Sequence, residues 1–165
     1  MNSDIKLLNN EIEVALRILI LLSTIDKAID EQLIIFYDYA ILHSNDFDSK
    51  QDSILPNSPF RKEELTIKTK LIKKALEILS QKQLIDVIYN ENGIYYASNK
   101  LTNLFLNRLT SVYSKKLQKQ AKWVKKHFKK YDEQNIKKYF EKTMSKWDSE
   151  FSMYGLFSER YNYAK

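Results

Sequence analysis

Asp38, His43, Asp46 and Asp48 fall within eleven positions of one another. Carboxylates grouped around an imidazole are the raw material of a metal site or of acid–base chemistry. This spacing fits no standard metal template and offers only one imidazole, and a histidine in the last turn of a helix is already favoured by the helix dipole. Glu11 with Glu13, and Asp26 with Asp30, read as carboxylates that cap or solubilise helices. We therefore expect no metal, no cofactor and no catalytic residue.

A second group of side chains points to binding. Lys115, Lys116, Lys119, Lys122, Lys125, Lys126, Lys129 and Lys130 surround an apolar stripe of Leu117, Ala121, Val124 and Phe128, which predicts an amphipathic helix with a basic outer face. Such a face is a solvated surface, a contact for a DNA backbone, or a contact for an acidic partner. Membrane binding has only Trp123 as an anchor, so no membrane partner is expected. Lys73 and Lys74, with Lys62 and Lys70, would add phosphate contacts from an earlier helix. Arginine occurs only four times, so the basic side chains suit phosphate proximity better than bidentate base reading. Near the end, Phe151, Met153, Tyr154, Leu156, Phe157, Tyr161 and Tyr163 form an aromatic segment that packs on the chain's own core or inserts into a partner.

Composition narrows the classes further. The 165 residues suffice for one ordinary domain with its own apolar core. Gly93 and Gly155 are the only glycines, too few for a glycine-rich phosphate loop or a nucleophile elbow, and the absence of cysteine removes thiolate catalysis, disulfides and cysteine zinc sites. The longest apolar run, Ile18 to Leu22, is far short of the roughly 20 residues of a membrane span, and no secretion signal opens the chain. We expect a cytoplasmic protein. Its net charge of +6 is segmental: Lys115 to Lys138 holds ten lysines against Asp132 and Glu133, a local +8, and the first 114 residues sum to −2.

The elements that would position these groups follow from periodicity. Ile12, Leu16, Leu19 and Ile20 predict a mostly buried first helix over 11–22. Asp26 reads as the N-cap of a second helix running from Ile25 to His43, with Ile29, Leu33, Phe36, Tyr37, Ala40 and Ile41 inward. Asn45 to Phe60 reads as an ordered loop or insertion, and Arg61 to Gln81 as a third helix. Two β-rich runs around Asn90-Glu91-Asn92-Gly93 predict a hairpin that lays Ile85, Val87, Ile94 and Tyr96 on a helical layer. Leu101, Phe105 and Leu109, then Val112 to Phe128, then Ile136 to Trp147, are helical, with a break at Thr110-Ser111.

That order predicts a mainly α fold: a winged helix-turn-helix-like core with a two-stranded β-hairpin wing and a C-terminal helical extension. We place the core with its long helix at 1–130 and the helical, aromatic-rich tail at 131–165. A winged-helix transcriptional regulator reading DNA through the third helix is the main alternative. Against it, the connection before that helix is far longer than a DNA-reading turn, and no Arg or Asn/Gln pair sits mid-helix. A small enzyme using Asp38, His43 and Asp46 is the third.

Several strings, taken in order, resemble a known family. They are Leu8-Asn9-Asn10-Glu11 through Ala15-Leu16-Arg17, Phe36-Tyr37-Asp38-Tyr39 continuing to Leu42-His43-Ser44-Asn45-Asp46-Phe47, Pro56 to Arg61, Gly93-Ile94-Tyr95-Tyr96-Ala97, and Tyr113 followed by Ala121-Lys122-Trp123-Val124. Over residues 8–128 the chain is similar to the small middle component of bacterial ABC three-component conflict systems, which include the Lamassu-type defences against phage and plasmids. The resemblance implies a non-enzymatic accessory subunit that joins an SMC-like or Rad50-like ATPase to an effector, often a nuclease, close to double-stranded DNA. It also implies that His43, Asp46, Phe47 and Arg61 fix the long loop and shape a docking surface, with a hydrogen bond between Asp46 and Arg61 as the means. Trp123 and the tail residues Phe151, Tyr154, Phe157 and Tyr161 are the further partner-binding candidates.

Overall fold

Asn10 opens the first helix by accepting the Glu13 amide on its side chain, and from Val14 onward that helix, α1 (Glu11–Ile25), is apolar on nearly every face. A helix of this kind is stable only when it is surrounded. The computed structural model describes the backbone of residues 10–152 and the side chains of residues 10–147. α1 is ringed by α2 (Glu31–Leu42), α3 (Arg61–Gln81), α4 (Lys100–Leu106), α5 (Val112–His127) and strand β3 (Gly93–Ser98). α6 (Glu133–Ser152) packs on α2 and α3. Val14, Ile18, Leu21 and Leu22 are fully buried, and each such side chain contributes about 1.5–3 kcal/mol of transfer free energy. Ile136, Phe140 and Trp147 of α6 belong to the same apolar cluster as α1.

The start of the second helix differs from expectation. Asp26 does not cap α2; it ends α1 in the left-handed region, at φ 56°, with its amide bonded to the Leu22 carbonyl. An aspartate tolerates that conformation and so terminates the helix. The chain then forms a two-residue strand, β1 (Ile29–Asp30), before Asp30 caps α2 by accepting the Leu33 amide. This short strand changes the sheet. β2 (Ile85–Asn90) and β3 make the expected antiparallel hairpin, but β1 adds to the far side of β3, pairing Ile29 with Tyr96 and Asp30 with Tyr95, so the sheet has three strands in the order β1-β3-β2. Two residues carry too little pattern to be seen in sequence.

The hairpin face is the one expected at its base, where Ile85 is buried and Val87 and Tyr96 are half-buried. Toward the tip Ile94 leaves the helical layer. Ile12 also stands in solvent, because the first turn of α1 projects beyond its neighbours. In α4 the expected inward residues Leu101 and Phe105 are exposed, and Thr102 is buried in their place. A reciprocal cap between Asn99 and Thr102, and a bond from the Thr102 hydroxyl to the Leu84 carbonyl, fix that rotation. Val112, expected inward, is exposed as well, at the first turn of α5, which Ser111 caps. Among the described residues no helix is long and apolar enough to cross a membrane.

Candidate interaction site

A chain of charged and polar side chains runs through the helical layer. Arg17 on α1 and Asp38 on α2 are each 1% exposed, with Arg17 Nε 2.8 Å from Asp38 Oδ1. Burial opposes the Arg17 charge, but the Asp38 carboxylate outweighs it and holds the guanidinium above its ordinary pKa. Tyr113 lies nearby, its hydroxyl pushed up to about 12 by burial and by Glu13. Lys68, on the buried face of α3, places Nζ 3.5 Å from His43 Nε2 at the end of α2. Burial, then the Lys68 charge, pushes the His43 imidazole down to about 4. The ring is therefore neutral, and a dipole-favoured imidazolium is not what places it here.

Tyr39 continues the chain, stacking on His43 at 4.6 Å and donating its hydroxyl to Asp46. Asp46 sits in the short 3₁₀ turn Ser44–Asp46 and also accepts from Arg61 at the start of α3, Nη2 to Oδ1 at 2.9 Å. The Arg61 guanidinium lies 5.9 Å from the centre of the Trp147 ring, and Trp147 also packs on Tyr39. The loop between α2 and α3 is thus clamped at both ends. Between them the Asn45 side chain donates to the Ser49 and Gln51 carbonyls, and Gln120 of α5 donates to the Asp52 carbonyl at 2.7 Å.

The sequence candidates separate accordingly. His43, Asp46 and Arg61 come together, and Phe47 joins the aromatic group of Phe36, Phe128 and Tyr139. His43, at 1% exposure, offers no surface to a partner directly; it and Asp46 shape the loop from inside. Trp123 lies apart, stacked on His127 at 4.7 Å. The backbone of Phe151 lies in the last turn of α6, and Tyr154, Phe157 and Tyr161 lie outside the described residues. Sequence reasoning missed the Arg17–Asp38 pair and Lys68. Their signal was a charge at an inward helical position, three to four residues from buried apolar neighbours. Among the described residues no three of His, Asp and Glu converge as a metal cage.

The lysines expected against a DNA backbone divide into two kinds. Lys73 and Lys74 are exposed but face carboxylates, Glu31 at 3.7 Å and Glu11 at 3.1 Å. Lys115, Lys116, Lys119, Lys122, Lys125, Lys126, Lys129 and Lys130 are all exposed, and α5 contains no acidic residue. Lys122 and Lys125 border a cleft of about 360 Å³ between α1, α4 and α5, which Asn103, Asn107 and Gln118 also line.

Residues 7–150 match the family model of the ABC-three component (ABC-3C) system Middle Component 2. The chain belongs to this family. The match to Middle Component 2 takes in all six described helices up to the last turn of α6, the three strands and the clamped loop. No curated protein and no solved structure gives a match to the chain.

Proposed function

We propose that this chain is a non-catalytic accessory subunit of a bacterial defence complex. It joins an SMC-like ABC ATPase to an effector such as a nuclease, in the cytoplasm, and sets the α5 face against the phosphate backbone of double-stranded DNA. α2, α3 and the β2–β3 hairpin would act as a winged-helix-like block used for docking, with α5 and α6 as its helical extension.

Family membership supports the role as one subunit among several. The observation that carries the rest is how the charges are placed. The ionisable groups in unusual surroundings, Arg17, Asp38, His43, Lys68, Asp46 and Arg61, face one another inside the fold. Six exposed lysines, Lys115, Lys116, Lys119, Lys122, Lys125 and Lys126, are gathered on α5, which holds no acidic residue. Lys115, Lys119, Lys122 and Lys126 recur at four, three and four residues, a single row about 16 Å long at about 1.5 Å per residue. A row of that kind suits successive phosphates and does not read bases. The glutamates facing Lys73 and Lys74 weigh against the regulator reading, since α3 would have to break those pairs to reach DNA.

Co-expression with an SMC-like ATPase and an effector taken from neighbouring genes tests the proposal. A stable complex containing this chain and both neighbours is the expected result. A chain that co-purifies with neither, or that turns over a substrate on its own, overturns it.

A further inference from the structure

β2 is an outer strand of the sheet, so along residues 85–90 one row of backbone N–H and C=O groups has no ladder partner among the described residues. Proteins commonly guard such an edge with lysine, proline or a bulge. Ile85–Asn90 contains no lysine and no proline, and its register with β3 runs unbroken from Ile85–Ser98 to Asn90–Gly93. The one charge on the edge is Asp86, and an edge so lightly guarded is explained most simply by a strand that covers it.

The side chains at the same place point the same way. Tyr89 and Ile94 oppose one another across the ladder and are 75% and 46% exposed, while Ile88, on the other face, is 40% exposed. The hairpin tip therefore shows apolar surface on both faces, where an antiparallel ribbon serving only as a cover needs one. From Gln83 to Asn99 the only charged residues are Asp86 and Glu91. A second copy of this chain would bring its own Asp86 and Glu91 to the same edge, like charge near like charge. A strand carrying lysine or arginine meets no such cost.

We propose that the free edge of β2 takes up an extended segment of a partner protein as a fourth strand. Main-chain hydrogen bonds would supply affinity. Alternating side chains would pack beside Ile88 on one face and beside Tyr89 on the other, and a basic residue would lie beside Asp86, with Glu91 at the end of the strand. This inference rests on the accessory-subunit reading and names the surface by which a protein neighbour is held.

The full chain, co-expressed with an SMC-like ATPase and an effector taken from neighbouring genes, provides the test. Hydrogen exchange is followed on the chain alone and in the complex, and capture is compared for wild type, the Ile88→Lys/Tyr89→Lys double variant and the Ile88→Thr/Tyr89→Thr double variant. We expect amides of 85–90 to exchange about tenfold more slowly in the complex. The lysine variant, folded by circular dichroism, should lose about tenfold in capture, while the threonine variant, which keeps β-forming side chains, stays within about threefold. A complex in which those amides are no better protected, or a lysine variant captured as well as wild type, overturns the edge proposal and leaves the accessory role standing. Protection of the same edge in a homodimer also overturns it. A wild-type chain that captures neither subunit removes the accessory role, and the edge proposal with it.

Discussion

Lys68 Nζ stands 3.5 Å from His43 Nε2, and neither residue is more than 4% exposed. A cation and an imidazole buried side by side are compatible only while the imidazole is neutral. Burial and the neighbouring ammonium accordingly lower His43 to about 4 from an ordinary value of 6.5. The unfolded chain binds the proton more readily than the native one between those values, so stability rises with pH across that window. The contribution is fully present above pH 6.5 and is lost as pH falls toward about 4. At about 1.4 kcal/mol per pKa unit it amounts to about 3 kcal/mol. Urea unfolding from pH 4 to 7 should show this slope, and His43→Gln should flatten it. An imidazole resonance of His43 that titrates near 6.5 in the folded protein would contradict the arrangement.

Arg17 and Asp38 form the second internal pair, and removing one partner leaves the other buried without its main counter-charge. Asp38→Ala or Arg17→Ala should each destabilise the fold by about 3–5 kcal/mol. Replacing both with apolar residues of similar volume should cost less than the two single changes together, because neither member of the pair is then left without the other. Chemical denaturation of the two single variants and the double variant gives the coupling. Single variants that each cost under about 1 kcal/mol would mean that the pair is hydrated.

Asp46 receives both Tyr39 and Arg61, so the loop between α2 and α3 is held by hydrogen bonds at partly buried sites. Tyr39→Phe removes one bond and should cost about 1 kcal/mol. Arg61→Ala should also free the loop, seen as faster amide exchange over 44–60 while α1 keeps its protection. Equal exchange in the loop of wild type and variant would show that the loop's other hydrogen bonds, among them those of Gln120, Asn45 and Ser44, hold it without Arg61.

The α5 face predicts a salt law. If Lys119, Lys122 and Lys126 touch phosphates, changing all three to Gln should lower the slope of log K against log salt for duplex DNA by about 0.9 for each contact removed. The loss should be the same for unrelated sequences. Thermal stability should barely move, since all three are exposed. Lys73→Gln and Lys74→Gln, whose partners are Glu31 and Glu11, should change the slope less. An unchanged slope in the α5 variant would leave that face as plain solvated surface.

What could be read from the sequence differs element by element. α3 and the β2–β3 hairpin lie where periodicity and the Asn90-to-Gly93 turn put them, because both are local patterns. Gly93, at φ +131°, is the residue that lets the turn close, and glycine there is visible in the sequence. β1 was hidden, since two residues gain their identity only from a strand nearly seventy positions away. Leu101 and Phe105 were placed inward by hydrophobicity, but the Asn99–Thr102 cap and the Leu84 carbonyl set the rotation of α4. The Asp46–Arg61 bond, implied by family resemblance, is present; the Arg17–Asp38 pair and the Lys68–His43 contact were unforeseen.

By itself the sequence determined the helices, the hairpin and the segregation of lysine onto α5, because periodicity, turn chemistry and charge are carried by neighbours along the chain. Tertiary structure alone decided which charges face one another in the interior and which edge of the sheet is left open. Burial and pairing depend on residues far apart in sequence, and a lysine in a helix reads the same whether it ends in water, as at Lys119, or against an imidazole, as at Lys68.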